Sequence, residues 1–389
     1  MQLSMVEMMP APQGRGEQEV IDCLRLFRSR RVGPATYHRL IRDHGSAGAA
    51  LDALPDIAAA AGVKGYQVCP EPVALAELRD GRIAGAELIL AGDPGYPAFL
   101  AEISDAPPLL WAIGNTELLT RPSVAMVGAR NASSLGLRIA TSLAGDLGQA
   151  GKVIVSGMAR GIDAACHAAA LDTGTIAVMP GGVDVVYPRE SIELAHSIAE
   201  NGIRLSEHPL GTIPQTRHFP QRNRIISGLA EAVVVVEAAA KSGSMITARA
   251  AAEQGREVLA VPAHPFDARA SGCNILIRDG ATLVRNCEDV LLALRADAAA
   301  LAPATPAAPA PPDEPSSPLG NGSQETARPA SDLTQLQRDI VAILGDGPLS
   351  EDGMIRVLSR PASQIGAAVL MLETQGEVAR LAGGVFARN

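Results

Sequence analysis

The spacing of hydrophobic residues changes along the chain, and its first part has helical spacing. Apolar positions from Glu17 to Leu78 recur every three or four residues, as on one face of an α-helix. Residues that commonly end helices interrupt this pattern at Gly33-Pro34, His44-Gly45, Pro55 and Gly62. The pattern predicts several short helices packed into a small helical domain over residues 1–82.

Short apolar runs, separated by glycine-rich turns and helical stretches, replace this pattern over residues 83–298. The clearest runs are Ser123–Val127, Val153–Val155, Thr175–Met179, Ala232–Val236 and Val258–Val261. Buried strands that alternate with helices favour crossover connections and parallel pairing. We therefore expect an α/β domain with a doubly wound, mostly parallel, Rossmann-like sheet.

The composition shifts again near the C-terminus. Residues 299–331 are rich in Ala, Pro and Ser and nearly lack bulky apolar side chains, so they cannot bury a core. Helical spacing returns over residues 332–389, and two short strand-like runs flank Gly383-Gly384. The sequence predicts a linker and then a winged helix of three helices and a hairpin.

Charge and cysteine content narrow the classes of function. A net charge of −9 over 389 residues argues against a general nucleic-acid coat, although local arginines can still make a cleft positive. Only three residues are lysines, and arginine's planar fork suits phosphates and bases. The cysteines lack disulfide or zinc spacing, and neither a signal peptide nor a membrane span is evident. We expect a cytoplasmic protein with no membrane association, metal or cofactor.

Candidate chemistry lies in the turns that follow the strands, since helix N-termini there attract anions. The first turn, Val127–Ser134, offers Arg130 but lacks the G-x-G-x-x-G spacing of dinucleotide sites. The second turn, Ser156–Asp163, precedes His167. Asp163 and His167 form either an acid/base pair or metal half-site, or Asp163 is a helix-start aspartate that interacts with backbone amides or the helix dipole.

The third turn, Pro180–Pro188, carries Tyr187, which either stacks on a base or seals the sheet edge. Its Pro-Gly-Gly start resembles nucleotide phosphoribohydrolases of the lysine-decarboxylase-like fold. Those enzymes continue with Gly-Thr and a catalytic glutamate, whereas this chain continues with Val-Asp-Val-Val. The catalytic part of that pattern is therefore missing.

The segment Gln215–Ile226 is the most informative, because it carries three arginines and Phe219 without an acid. An exposed ring beside Arg222 and Arg224 suits single-strand recognition. Alternatively, Phe219 packs inward and the arginines pair with acids such as Glu207 or Glu237. A further turn, Glu237–Thr247, leads into a helix opened by small hydroxyl residues and predicts a phosphate seat.

Two blocks carry a family resemblance: Ser156-Gly157-Met158-Ala159-Arg160-Gly161-Ile162-Asp163 and Phe219-Pro220-Gln221-Arg222-Asn223-Arg224-Ile225-Ile226-Ser227-Gly228-Leu229. Together with the Val-Gly-Ala-Arg and Val236–Thr247 segments, they resemble the DprA/Smf family of DNA-processing proteins. The Arg31–Pro34 turn is similar to the hairpin of SAM or helix-hairpin-helix modules.

The resemblance implies a non-enzymatic, homodimeric protein that binds and protects incoming single-stranded DNA during natural transformation and loads the RecA recombinase. Carried onto this sequence, the DNA-binding residues are Arg130, Ser156, Gly157, Arg160, Gly161, Phe219, Arg222, Asn223, Arg224, Ser244 and Thr247.

Two other functions stay open from the residues alone. One is a nucleotide-hydrolysing enzyme that uses Asp163, His167 or Glu237 near a bound phosphate. The other is a duplex-reading regulator acting through the winged helix, whose recognition helix at Pro361–Gln375 carries few base-reading side chains.

Overall fold

The structure of the chain is a computed structural model. It describes residues 15–301, 330–345, 347, 349–358, 360, 362–381 and 385–388. These residues form two compact units, divided after Thr305. Most of the predicted linker, the N-terminal residues 1–14 and the turn at Gly383-Gly384 lie outside the described residues.

The predicted helical domain is confirmed. Its helices are α1 (Glu17–Arg28), α2 (Pro34–His44), α3 (Ala47–Ala60) and α4 (Glu71–Ile83). The predicted break at Pro55 is wrong, because α3 continues through it. Proline removes one helical hydrogen bond there, and the buried side chains of Leu51, Leu54 and Ala58 keep the helix packed on its neighbours.

The α/β core follows. It opens with two strands and a short helix: β1 (Glu87–Leu90), α5 (Ala98–Ala101) and β2 (Leu109–Gly114). Strands and helices then alternate through β3 (Ser123–Val127), α6 (Ser134–Gln149), β4 (Val153–Ser156), α7 (Ile162–Ala169), β5 (Thr175–Val178), α8 (Ile192–Asn201), β6 (Ile203–Ser206), α9 (His218–Leu229), β7 (Ala232–Val235), α10 (Gly243–Glu253), β8 (Glu257–Ala260), α11 (Ser271–Arg278), β9 (Thr282–Leu283) and α12 (Cys287–Leu301). All five predicted strands form.

The strand order of this sheet creates a ligand crevice. The order is β1-β2-β6-β5-β4-β3-β7-β8-β9, with antiparallel pairing only at β1-β2 and β2-β6 within the described sheet. From β3 the chain winds outward through β4, β5 and β6, then returns to place β7 on the other side of β3. The carboxyl ends of β3 and β7 therefore flank a topological switch point, where such sheets bind ligands.

Both faces of the sheet are buried, as expected for a doubly wound fold. Alternate residues of β3 point to opposite faces: Ala125 and Val127 belong to one apolar cluster, and Val124 and Met126 belong to another. Helices α9 and α10 cover the first face, while α6, α7 and α12 cover the second. Near-continuous aliphatic runs are typical of strands buried on both faces.

A buried ion pair joins the helical domain to the core. The Arg28 guanidinium contacts both carboxylate oxygens of Glu77, with Nη2 2.8 Å from Oε1 and Nε 3.0 Å from Oε2. Arg28 Nη1 also donates to the Glu207 carbonyl of the core at 3.1 Å. The indole Nε1 of Trp111 on β2 donates to Glu77 Oε1 at 2.8 Å. One carboxylate thus satisfies donors from both domains.

The second unit is a winged helix, as predicted. It consists of α13 (Ala330–Leu344), β10 (Leu349–Ser350), α14 (Glu351–Leu358), α15 (Ala362–Thr374), β11 (Val378–Leu381) and β12 (Val385–Arg388). The strands pair antiparallel in the order β10-β12-β11. Among the described helices of the whole chain, none combines the length and hydropathy that a membrane crossing requires.

Removing the Glu77 carboxylate should destabilise the joined domains. Glu77→Ala leaves the Arg28 charge and the Trp111 N–H without their buried partner, and we expect a loss of about 3–5 kcal/mol of unfolding free energy. Urea titration followed by the fluorescence of Trp111, the chain's single tryptophan, measures the loss. The control is Asp80→Ala on the same helix, whose ion pair with Arg79 is exposed. Equal unfolding midpoints for both variants would contradict this role of Glu77.

Candidate nucleic-acid interface

A cavity of about 500 Å³ opens at the switch point between β3 and β7. We call it the switch-point cavity. Five stretches of chain line it: Val127–Asn131 at the end of β3, Ala159 and Asp163 after β4, the first half of α9, Ala239–Thr247 after β7, and Arg269. Every one of these segments follows a strand or begins a helix, so backbone amides and arginines meet there.

The protein's own Glu237 occupies one helix N-terminus at this edge. Its carboxylate accepts from the Ser133 amide at 3.1 and 3.2 Å and from the Ser133 hydroxyl at 2.6 Å. A Cβ on Gly136 would lie 2.2 Å from Glu237 Oε2, so only glycine fits beside the carboxylate. The anion-attracting start of α6 is therefore filled from within.

The loop after β4 is held in the same way. Asp163 Oδ2 accepts from the amides of Gly157 at 3.2 Å and Ala159 at 3.4 Å. The amide between them, on Met158, donates to His167 Nε2 at 3.3 Å. Met158 has a φ of 57°, a left-handed conformation that is uncommon for a non-glycine residue. Three successive amides are thus satisfied by side chains of α7.

Hydrogen bonding defines the tautomer of His167. The Thr175 hydroxyl donates to the Ile154 carbonyl at 2.8 Å, so it accepts from His167 Nδ1–H at 2.7 Å. Nε2 then keeps its lone pair for the Met158 amide. Burial, together with the nearby Arg222 charge, lowers the pKa of His167 to about 3. Asp163 and His167 therefore hold the loop before α7 through its backbone amides, as in the alternative in which Asp163 is a helix-start aspartate bonded to amides.

Arg222 is buried beneath the cavity floor. Its Nη1 donates to the Val178 carbonyl at 2.7 Å, and a Cβ on Gly157 would lie 1.9 Å from the same nitrogen. Its Nε is buried without a hydrogen-bond partner in the described residues. Burial lowers the pKa of Arg222 to about 10, partly offset by Asp163. The group remains a cation at neutral pH.

Arg130 and Phe219 form a stacked pair at the cavity wall. The guanidinium carbon of Arg130 lies 5.1 Å from the centroid of the Phe219 ring, and Tyr187 packs edge-on against the same ring at 5.8 Å. Beyond the pair lies a flanking cavity of about 460 Å³, lined by Gly157, Arg160 and Tyr187 among others. Arg130 and Phe219 line both cavities. An exposed arginine and a half-buried ring thus separate two adjacent pockets.

The start of α10 closes the opposite wall. Ser244 Oγ donates to the Gly128 carbonyl at 2.8 Å, which ties this helix to the loop after β3. The buried Ser242 hydroxyl has no hydrogen-bond partner among the described residues. The first amides of a helix lack intrahelical acceptors, and here no carboxylate of the described chain is bonded to them. This N-terminus differs in that respect from that of α6, where the Glu237 carboxylate is bonded to the Ser133 amide.

Arg224 lies outside both cavities. It pairs with an acid, which is the alternative to DNA binding that the sequence left open. Its guanidinium donates to Glu207 Oε2 at 2.5 Å and to the Asp105 carbonyl, and Nε lies 3.4 Å from the Asp105 carboxylate. Burial raises the pKa of Glu207, while Arg224 counteracts this effect. Arg224 thus pairs with acids of the fold, and its contact with DNA stays a prediction.

The predicted site residues fall into three groups. Lining the switch-point cavity are Arg130, Phe219, Arg222, Asn223, Ser244 and Thr247. Gly157 and Arg160 line the flanking cavity, and Arg160 Nε lies 3.4 Å from Glu190 Oε1. Neither cavity is lined by Ser156, Gly161 or Arg224. Ser156 is fully buried, and its hydroxyl donates to the Met126 carbonyl at 2.6 Å. Gly161 has a φ of 77°, and a Cβ at this position would lie 2.2 Å from the Ala129 carbonyl oxygen.

Sequence reasoning missed Arg269 as a site residue. It lines the switch-point cavity from the loop before α11 and pairs with Asp267 at 3.1 Å. The available signal was its position after the strand β8, on the same sheet edge as the other turns. Among the described residues, no group of His, Cys, Asp and Glu has an arrangement that would hold a metal ion.

The fold and cavity define a Rossmann-like domain with a basic ligand cleft at its switch point. The model of DNA recombination-mediator protein A matches residues 87–295, that of the DprA-like N-terminal HHH domain matches residues 17–79, and that of the DprA winged helix domain matches residues 324–384. The chain belongs to the DprA family, also called Smf.

Relatives of known sequence align with this chain over stretches of different length. The DNA processing protein DprA of Bacillus subtilis is 45% identical over 212 residues, covering 54% of this chain and 71% of the relative. Protein Smf of Escherichia coli is 37% identical over 300 residues, 76% of each chain.

Solved structures of the family share the fold. DNA processing protein A from Streptococcus pneumoniae aligns with a TM-score of 0.55 and 36% identity over 67% of this chain and 98% of its own. DNA processing protein A from Helicobacter pylori, whose structure addresses its single-stranded DNA binding mode, aligns with a TM-score of 0.50 and 30% identity over 55% and 96%.

The neutral state of His167 predicts a pH-dependent stability. The unfolded chain protonates this imidazole near 6.5, whereas the folded chain keeps it neutral down to about 3. Unfolding free energy is therefore lost as pH falls below 6.5, by up to about 2 kcal/mol at about pH 5. In His167→Gln, whose amide oxygen can still accept from Met158, this part of the pH dependence should disappear.

Urea unfolding of wild type and His167→Gln at about pH 7 and about pH 5 measures the difference. His196→Gln, which changes an exposed histidine, is the matched control and should follow the wild type. An identical pH dependence in wild type and His167→Gln would show that His167 is not held neutral.

Proposed function

We propose that this chain binds single-stranded DNA in the two cavities on either side of the Arg130–Phe219 pair, protects it, and delivers it to RecA. The observation that carries the proposal is this pair, a cation 5.1 Å above an aromatic ring between adjacent pockets. An unpaired base can stack on a ring and a guanidinium plane at once, while its phosphates meet the arginine. Bases within a duplex are not available for such stacking.

The phosphates of the strand would bind between the N-terminus of α10 and two arginines. The open N-terminus of α10 supplies backbone amides and the positive end of a helix dipole. Arg130 on the opposite wall and Arg222 beneath the floor supply positive charge. Because these groups are gathered in a crevice, the local field can attract phosphate even though the net charge of the chain is −9.

Similarity to known proteins supports the same ligand. The Helicobacter pylori structure concerns single-stranded DNA binding, and the matching core model is that of a recombination mediator. We extend single-strand binding to this chain, and with it the transfer of the strand to RecA during natural transformation. Cytoplasmic location and homodimerisation are parts of the same proposal.

The protein acts in this proposal without catalysis. The residues that an enzyme of similar fold would need are Asp163, His167 and Glu237, and each is engaged in holding backbone amides. A carboxylate committed to two amides is a weaker base than a free one. Nucleoside monophosphate hydrolysis that is abolished in Asp163→Ala would replace this proposal with the enzyme alternative.

Removing the ring or the cation should weaken binding of a labelled oligothymidine. Phe219→Ala should cost about 1–3 kcal/mol, roughly 5- to 150-fold in Kd, through lost stacking. Arg130→Ala should also flatten the dependence of log affinity on log salt by about 0.7 for the phosphate contact it loses. Fluorescence anisotropy at two salt concentrations measures both effects.

The control for charge is Arg138→Ala, which removes an exposed arginine from α6 outside both cavities. It should bind like the wild type at both salt concentrations. Wild-type affinity for duplex equal to that for the single strand would contradict the proposal, as would unchanged binding by Phe219→Ala.

Delivery to RecA is tested separately from DNA binding. RecA hydrolyses ATP when it assembles on a single strand, so the lag before hydrolysis reports nucleation. Wild type should shorten this lag, and Phe219→Ala should shorten it less at equal concentration. A lag that the wild type leaves unchanged would remove RecA delivery from the proposal and leave DNA binding in place.

A further inference from the structure

The loop between β8 and α11 displays an aromatic side chain in solvent. Phe266 is 92% exposed, although the chain has only five phenylalanines. The His264 ring lies beside it, with centroids 5.6 Å apart. Neither ring contributes to the apolar clusters of the core. A large exposed ring gains nothing for folding, since it leaves apolar surface in water.

Hydrogen bonds fix both ends of this loop. The Asn274 side chain accepts from the Ala263 amide at 3.2 Å and donates to the Ala263 carbonyl at 3.0 Å. At the other end, the Gly272 amide donates to the Ala238 carbonyl at 2.7 Å. Ser271 Oγ accepts from the Ala240 amide at 3.2 Å. The loop is therefore attached to the turn after β7 that forms a wall of the switch-point cavity.

The same loop reaches into that cavity through Arg269. This guanidinium lines the cavity and pairs with Asp267 within the loop, where the pair is partly exposed. Phe266 and Arg269 are three residues apart on one anchored turn, in which the Ala270 amide donates to the Asp267 carbonyl at 3.1 Å. A cation at the cavity rim and a ring outside it thus belong to one hydrogen-bonded loop.

We propose that Phe266 is a second stacking platform, which receives a base of the single strand after it leaves the switch-point cavity. This inference rests on the proposed function. Arg269 neutralises the phosphate at the rim, and the Phe266 ring stacks on a base further along the strand. An exposed ring next to an arginine-lined cleft fits a nucleic-acid base because every base offers a stacking face. The occupied track then extends from Arg160 and Tyr187, past Phe219, to Phe266.

Oligonucleotide length separates this platform from the cavity. An oligothymidine of about 4 nucleotides occupies the cavities alone, while one of about 15 also reaches the loop. Phe266→Ala should weaken binding of the longer strand by roughly 5- to 150-fold and leave the shorter strand unchanged. The control Leu292→Ala, which removes an exposed apolar side chain from α12, should bind both strands like the wild type.

A fluorescent substitution tests stacking directly. In Phe266→Trp, the longer oligothymidine should quench the added emission, and the shorter one should not. Wild type corrects for the buried Trp111. Unchanged affinity of Phe266→Ala for the longer strand, or unquenched emission from Phe266→Trp, would overturn the platform and indicate a protein partner for this ring. If wild type binds neither strand, the proposed function fails first, and this inference with it.

Discussion

The hydrogen bonds between side chains and loop amides at the carboxyl edge of the sheet determine what the rest of the site can do. Glu237 holds the start of α6, while Asp163 and His167 hold the loop that begins α7. The start of α6 and the loop before α7 are therefore already bonded to side chains of the protein itself. The start of α10 is left open, and an incoming anion meets this helix together with arginines.

This internal arrangement also explains how an acidic protein presents a basic cleft. Arg222 is held under the floor by the Val178 carbonyl and by the space that Gly157 leaves, and Asp163 offsets part of its desolvation. Arg130 remains exposed above the Phe219 ring. One arginine thus supplies fixed charge and the other supplies a contact surface. Among the described residues that line this cavity, Asp163 is the one acid, and its carboxylate is bonded to loop amides.

Much of this organisation follows from the sequence. The parallel strands were predictable because their aliphatic runs are nearly continuous, and the turns after them located the cavity. Local patterns do not identify long-range partners, so the sequence left open whether Arg224 binds DNA or pairs with an acid, and its ion pairs with Glu207 and Asp105 are seen only in the fold. Ser156 belongs to the same motif as the exposed Arg160, but its side chain points to the Met126 carbonyl. The alternation of side chains along β4 decides which face of the sheet it lies on.

The roles of some proline and glycine residues also depend on long-range contacts that local sequence patterns do not reveal. Pro55 predicts a helix break, yet burial of its neighbours outweighs one missing hydrogen bond. The need for Gly136 and Gly157 becomes evident only when Glu237 and Arg222 are seen beside them. These partners lie far along the chain, on other strands and helices. Tertiary contacts of this kind cannot be derived from spacing alone.

Hydrogen–deuterium exchange with and without oligothymidine would locate the DNA site, because it surveys every segment of the full chain at once. If the strand binds in the switch-point cavity, exchange slows over the loop after β3, the first turns of α9 and α10, and the loop before α11. The loop Gly157–Ala159 should be slow already without DNA, since its amides are bonded to α7. Protection confined to the helical domain or the winged helix would contradict the account.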